Sequence, residues 1–77
     1  MSVKAYILIN TETNLTQSVA ETISSIAGTA EVNEVLGPFD LVVELEAVRL
    51  EDITTILRDK IRPIAGVRDT VTCVTMR

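Results

Sequence analysis

Chemistry could be concentrated in the stretch Gly37-Pro38-Phe39-Asp40-Leu41. Glycine and proline turn the chain, and an aspartate follows, one residue inside a segment that otherwise alternates apolar side chains. A carboxylate held at the end of a sheet can meet a ligand ammonium. Backbone N–H groups of the adjoining turn can meet a ligand carboxylate. An amino-acid zwitterion requires both. The alternative is that Asp40 caps the turn through its own backbone. Other candidates are weaker. Glu44 and Glu46 share a strand face at i, i+2, which suits acid–base work but is also the ordinary pattern of a solvated strand. Cys73 is the single cysteine, and there is no histidine to activate it. It reads as a buried structural thiol. Tyr6 reads as a packed strand aromatic.

The composition excludes several function classes. One thiol cannot form an intrachain disulfide, an iron–sulfur site or a closed zinc cage, so no metal or cofactor is expected. The formal net charge of −4 lacks the basic surface that displaces counterions from nucleic acid. One Tyr and one Phe are too few for an RNA-stacking platform. No apolar run reaches the length of a membrane span and no signal peptide is evident, which points to the cytoplasm. A single domain of 77 residues buries only about 60% of its unfolded surface, so small folds need a staple. With disulfides and metals set aside, a second copy of the chain is the expected one. One charged cluster stays open to two readings. Arg58, Lys60, Arg62 and Arg68 gather late in the chain, either to complement a helix C-terminus or to form a docking or anion site.

These residues must be positioned by six elements. Residues 3–10 are β-branched and too short for a capped helix, so they predict a strand. Leu15, Val19, Ile23 and Ile26, with Ala20 and Ala27, form one apolar helical face over 15–27. Asn14 and Gln17 offer a capping box, and Gly28 offers a C-terminal stop. Strands are predicted at 30–36 and 39–46, joined by a tight turn at Gly37-Pro38. In the second of these, Leu41, Val43 and Leu45 make the dry face. A helix over 49–62 has Glu51 and Asp52 in its first turn, Lys60 and Arg62 in its last, and Pro63 as its stop. Residues 67–76 predict the last strand, with Val67, Val71, Cys73 and Thr75 on one side. The order β-α-β-β-α-β predicts an α+β, ferredoxin-like βαββαβ plait: a four-stranded antiparallel sheet with both helices on one face. Its other face also carries apolar residues and needs a cover.

The βαββαβ order, the Gly37-Pro38-Phe39-Asp40-Leu41-Val42 stretch, and Gly66-Val67 followed by Thr70, Thr72 and Val74 resemble a known family. It is the effector-binding and oligomerisation domain of Lrp/AsnC transcription regulators, also described as the RAM (regulation of amino-acid metabolism) domain. The resemblance covers essentially the whole chain. It implies dimers packed sheet on sheet, assembly into octamers, and amino-acid effectors in clefts between dimers. The family's ligand contacts map onto Gly37, Phe39, Asp40, Cys73 and Val74, and Thr70 and Thr72 are nearby hydroxyl donors. The regulators' helix-turn-helix has no counterpart in this sequence. The expected form is therefore a stand-alone module that does not read DNA itself but could join full-length regulators. Pro38 removes an N–H from the turn. Two other functions fit the same fold: a purely structural oligomerisation module, and a dimeric α/β-barrel enzyme using Asp40, Glu44 or Glu46.

Overall fold

Alternation along one strand decides the architecture. In β1 (Val3–Thr11), Ala5, Ile7 and Ile9 are fully buried, while Tyr6 between them is exposed. The same division runs through β3 (Leu41–Ala47), where Leu41, Val43 and Leu45 are fully buried. Ile7 lies opposite Val43 and Ile9 opposite Leu41 in the antiparallel register. The buried sets of the two strands therefore share one face, because side-chain period two is preserved across a ladder. The computed structural model describes residues 2–76. With β2 (Thr29–Glu34) and β4 (Val67–Val74) the strands form one antiparallel sheet in the order β2-β3-β1-β4. Val19 and Ile23 of α1 (Thr16–Ser24), Ile53 of α2 (Leu50–Thr55) and Ile61 close the core. All come from the helix side, so both helices cover the same face. This is the expected ferredoxin-like plait.

Three local expectations are corrected. The capping box does not form: α1 starts at Thr16 after a 3-10 turn at Thr13–Leu15, with no side-chain cap, and Asn14 and Gln17 are exposed. The helix is shorter than 15–27, so Gly28 lies beyond its last turn. Gly28 does adopt a left-handed φ of 100° at the entry to β2. The second helix is not uniform either. After Thr55 it widens into a π-helical turn at Ile56–Ile61, and the Arg62 N–H reaches the Leu57 carbonyl at 2.9 Å. The turn between β2 and β3 is not tight. Residues 35–40 form a longer loop closed by the Val35 N–H on the Asp40 carbonyl at 2.9 Å.

A fourth correction concerns β4. Its register on β1 shifts between Asn10 and Thr11, so Asn10 faces Asp69 while Thr11 faces Val67. Arg68 is the extra residue of a bulge. The bulge breaks the alternation and turns Val67 to the helix side, where it packs on the core, while Val71 and Cys73 stay on the other face. Among the described residues, no helix is long and apolar enough to cross a membrane.

The loop into β4 is pinned at Gly66. Its φ is 103°, and its carbonyl accepts the Glu12 N–H at 2.8 Å. A Cβ there would sit 2.9 Å from Leu15 Cβ and 3.0 Å from Val19 Cγ2. Left-handed backbone and α1 packing both demand the missing side chain. Gly66→Ala should therefore lower stability by about 2 kcal/mol or more in urea denaturation. Gly37, whose added Cβ would meet nothing within 4 Å, should accept alanine within about 0.5 kcal/mol. Equal losses at the two positions would contradict this packing.

Candidate functional site

Asp40 sits where the 35–40 loop enters β3, with its N–H on the Ile9 carbonyl at 2.9 Å. Its side chain does not cap its own turn. Oδ2 accepts the Thr11 N–H at 2.8 Å and lies 3.3 Å from the Thr11 hydroxyl. Thr11 ends β1 and is 4% exposed. Its hydroxyl lies 2.6 Å from that of Thr16, the first residue of α1, which in turn lies 3.3 Å from the Thr13 carbonyl. Each hydroxyl has one proton, so two arrangements are self-consistent. In one, Thr11 donates to Thr16 and Thr16 to the Thr13 carbonyl. In the other, Thr16 donates to Thr11 and Thr11 to Asp40, a charge-assisted bond. Both tie β1, β3 and α1 at one point. The other carboxylate oxygen, Oδ1, makes no hydrogen bond among the described residues.

The candidate residues fall into two groups. Gly37 is exposed and Phe39 half-buried in the loop beside Asp40. Thr70 pairs with Ile9, whose carbonyl receives the Asp40 N–H, so Asp40 and Thr70 flank β1 about 10 Å apart, two strand spacings. Gly37, Phe39, Asp40 and Thr70 thus share one end of the sheet. Thr72, Cys73 and Val74 pair with Ile7, Tyr6 and Ala5, progressively further away at about 3.3 Å per residue. Within one chain the two groups are apart. Cys73 also departs from expectation: it is exposed, not buried.

The face without helices carries a row of apolar side chains. Leu8 is flanked in register by Val42 and Val71, and Val71 is 45% exposed. In the next row Tyr6 lies between Glu44 and Cys73. Glu44 does not form a dyad with Glu46. It pairs with Lys4 at 3.6 Å, while Glu46 accepts the Ser2 hydroxyl at 2.9 Å. Among the described residues, no group of three His, Cys, Asp or Glu side chains is placed to hold a metal ion. Sequence reasoning missed Thr11 and Thr16. Their only signal is a pair of threonines five residues apart around the first strand-to-helix junction.

The family model for the Lrp/AsnC ligand binding domain matches residues 4–77. An uncharacterised HTH-type transcriptional regulator from Pyrococcus horikoshii, PH1916, is 45% identical over 73 residues, which are 91% of this chain and 49% of that protein. The chain thus spans about half the length of the curated regulators it matches. The crystal structure of TTHA0845 from Thermus thermophilus superposes with a TM-score of 0.94 at 31% identity, covering 97% of this chain and 94% of that one. A transcriptional regulator from Neisseria meningitidis, NMB0573, solved as an L-Met complex, shares the fold alone, with a TM-score of 0.87 at 12% identity over 97% of this chain and 50% of that one.

Asp40→Ala leaves the Thr11 N–H without its partner and should lower stability by about 1–3 kcal/mol in urea denaturation. Asp40→Asn keeps an acceptor and should lose less. Indistinguishable midpoints for wild type and Asp40→Ala would contradict a structural tie through Oδ2.

Proposed function

The chain belongs to the Lrp/AsnC ligand-binding domain family, a class of ligand-binding and oligomerisation modules without catalytic activity, and from that premise we propose that it is a cytoplasmic amino-acid-responsive assembly module. The observation that carries this reading is the divided role of Asp40. One carboxylate oxygen is held by Thr11, which fixes the group in place, and the other is free to accept a ligand ammonium. Loop N–H groups near Gly37 and Phe39 would meet the ligand carboxylate, with Thr70 as a hydroxyl donor at the same end. Thr72, Cys73 and Val74 would complete the site from a second copy. The L-Met complex of the Neisseria relative supports a free amino acid as the ligand class.

The apolar row around Leu8 supports a second copy as the cover of the open face, and dimers could then assemble further, as in an octamer. Full-length regulators are candidate partners, since the HTH-type transcriptional regulators from Pyrococcus that resemble this chain are about twice as long. One observation favours a purely structural alternative. The Asp40–Thr11 tie gives the aspartate a reason to be present without any ligand.

A thermal-shift screen of the twenty amino acids, with light-scattering mass recorded alongside, separates the two. A ligand at about 100 times its Kd adds roughly 2.7 kcal/mol of stability, and the assembly reading expects the mass to change with it. Asp40→Asn should abolish the response and leave the unliganded mass unchanged. No response from any amino acid, with constant mass, would leave the structural module. Placing a charge in the centre of the open face with Leu8→Asp should lower the mass. An unchanged mass would show that this face is not a subunit contact.

A further inference from the structure

The late basic cluster plays no part in the loop site, yet two of its arginines line one groove. A cavity of about 330 Å³ at the head of β4 is bounded by Arg62, Val67, Arg68, Asp69 and Thr70. Two separate backbone irregularities deliver the arginines. The π-helical turn ends by handing the Arg62 N–H to the Leu57 carbonyl. The β4 bulge inserts Arg68 between residues that pair with Asn10 and Thr11. A bulge of this kind re-aims side chains relative to a regular strand.

The charges there are poorly satisfied within the chain. Among the described residues Arg62 has no carboxylate partner. Arg68 reaches Glu12 only at 3.9 Å, with both side chains more than half exposed, a loose pair that a ligand can displace. Asp69 lines the groove as well but forms no ion pair with either arginine among the described residues. β4 is an edge strand, so its outer side has no strand neighbour. Two guanidiniums and the Thr70 hydroxyl are all donors, and planar guanidinium forks match carboxylate and phosphate oxygens. The volume is at the small end of the ligand-pocket range.

We propose that this groove is a binding site for a small dianion, whether dicarboxylate or phosphate, with both Arg62 and Arg68 as ligands. Asp40 takes no part in it, and Thr70 is the one residue it shares with the loop site proposed above.

The test is an amide chemical-shift titration of the full chain with succinate, inorganic phosphate and acetate at matched ionic strength. Saturable shifts centred on Arg62 and residues 67–70 are expected with at least one of succinate and phosphate, and the responder identifies the source of the dianion. Acetate, a monoanion, should bind at least tenfold more weakly. The double variant Arg62→Gln, Arg68→Gln should lose the response, and Asp40→Asn should keep it. The proposal is overturned by the absence of saturable shifts, by an equal response to acetate, or by shifts that survive in the double variant. If Asp40→Asn removes the shifts, the anion belongs to the loop site and the groove is not a separate one.

Discussion

Burial of one sheet face under two helices is the constraint on which the rest of this structure depends. Ala5, Ile7, Ile9, Leu41, Val43 and Leu45 have no exposure at all, and each large side chain so buried contributes roughly 1.5–3 kcal/mol. Period-two geometry then sends their neighbours to the opposite side with no helix to cover them. Tyr6, Leu8, Val42 and Val71 are on that face because the core residues are not. A chain this small has little else with which to stabilise itself. The pressure to assemble therefore follows from the same alternation that builds the core.

The Asp40 tie gives that sheet a defined end. A carboxylate from the entry to β3, a peptide N–H and a hydroxyl from β1, and a hydroxyl from α1 meet within 3.3 Å steps. Three elements are thereby locked where the loop ends and β3 begins. A ligand group that engaged the free oxygen would meet a preorganised anion, since the carboxylate is already oriented by its other oxygen. The two oxygens are differently engaged: Oδ2 is held by Thr11, and Oδ1 makes no hydrogen bond among the described residues.

Much of the fold was legible in the sequence because its signals are local. Leu15, Val19 and Ile23 recur at helical spacing, and Leu41, Val43 and Leu45 alternate in a strand; both patterns survive tertiary packing. The features that were missed depend on distant partners. Asp40 finds Thr11 across 29 residues of sequence, so spacing could suggest only a local cap. The bulge at Arg68 arises from the pairing of β4 with β1, and no pattern within β4 itself announces that Val67 will turn to the other face. The π-helical turn keeps the apolar spacing of Ile53, Leu57 and Ile61, so it looks like an ordinary helix. Cys73 reads as buried by residue type, but its place opposite Tyr6 puts it on the face that only another molecule can cover. The candidate residues near Asp40 were readable from the loop composition. Their separation from Thr72, Cys73 and Val74 needed the register.

Sedimentation equilibrium of the unmodified chain, without ligand and over a wide range of dilution, tests most directly whether the open face is a subunit contact. A covered face predicts a mass at least twice the 8.4 kDa of one chain, maintained to low concentration. A mass of one chain at every concentration would contradict it, and would mean that the apolar row around Leu8 stands in water.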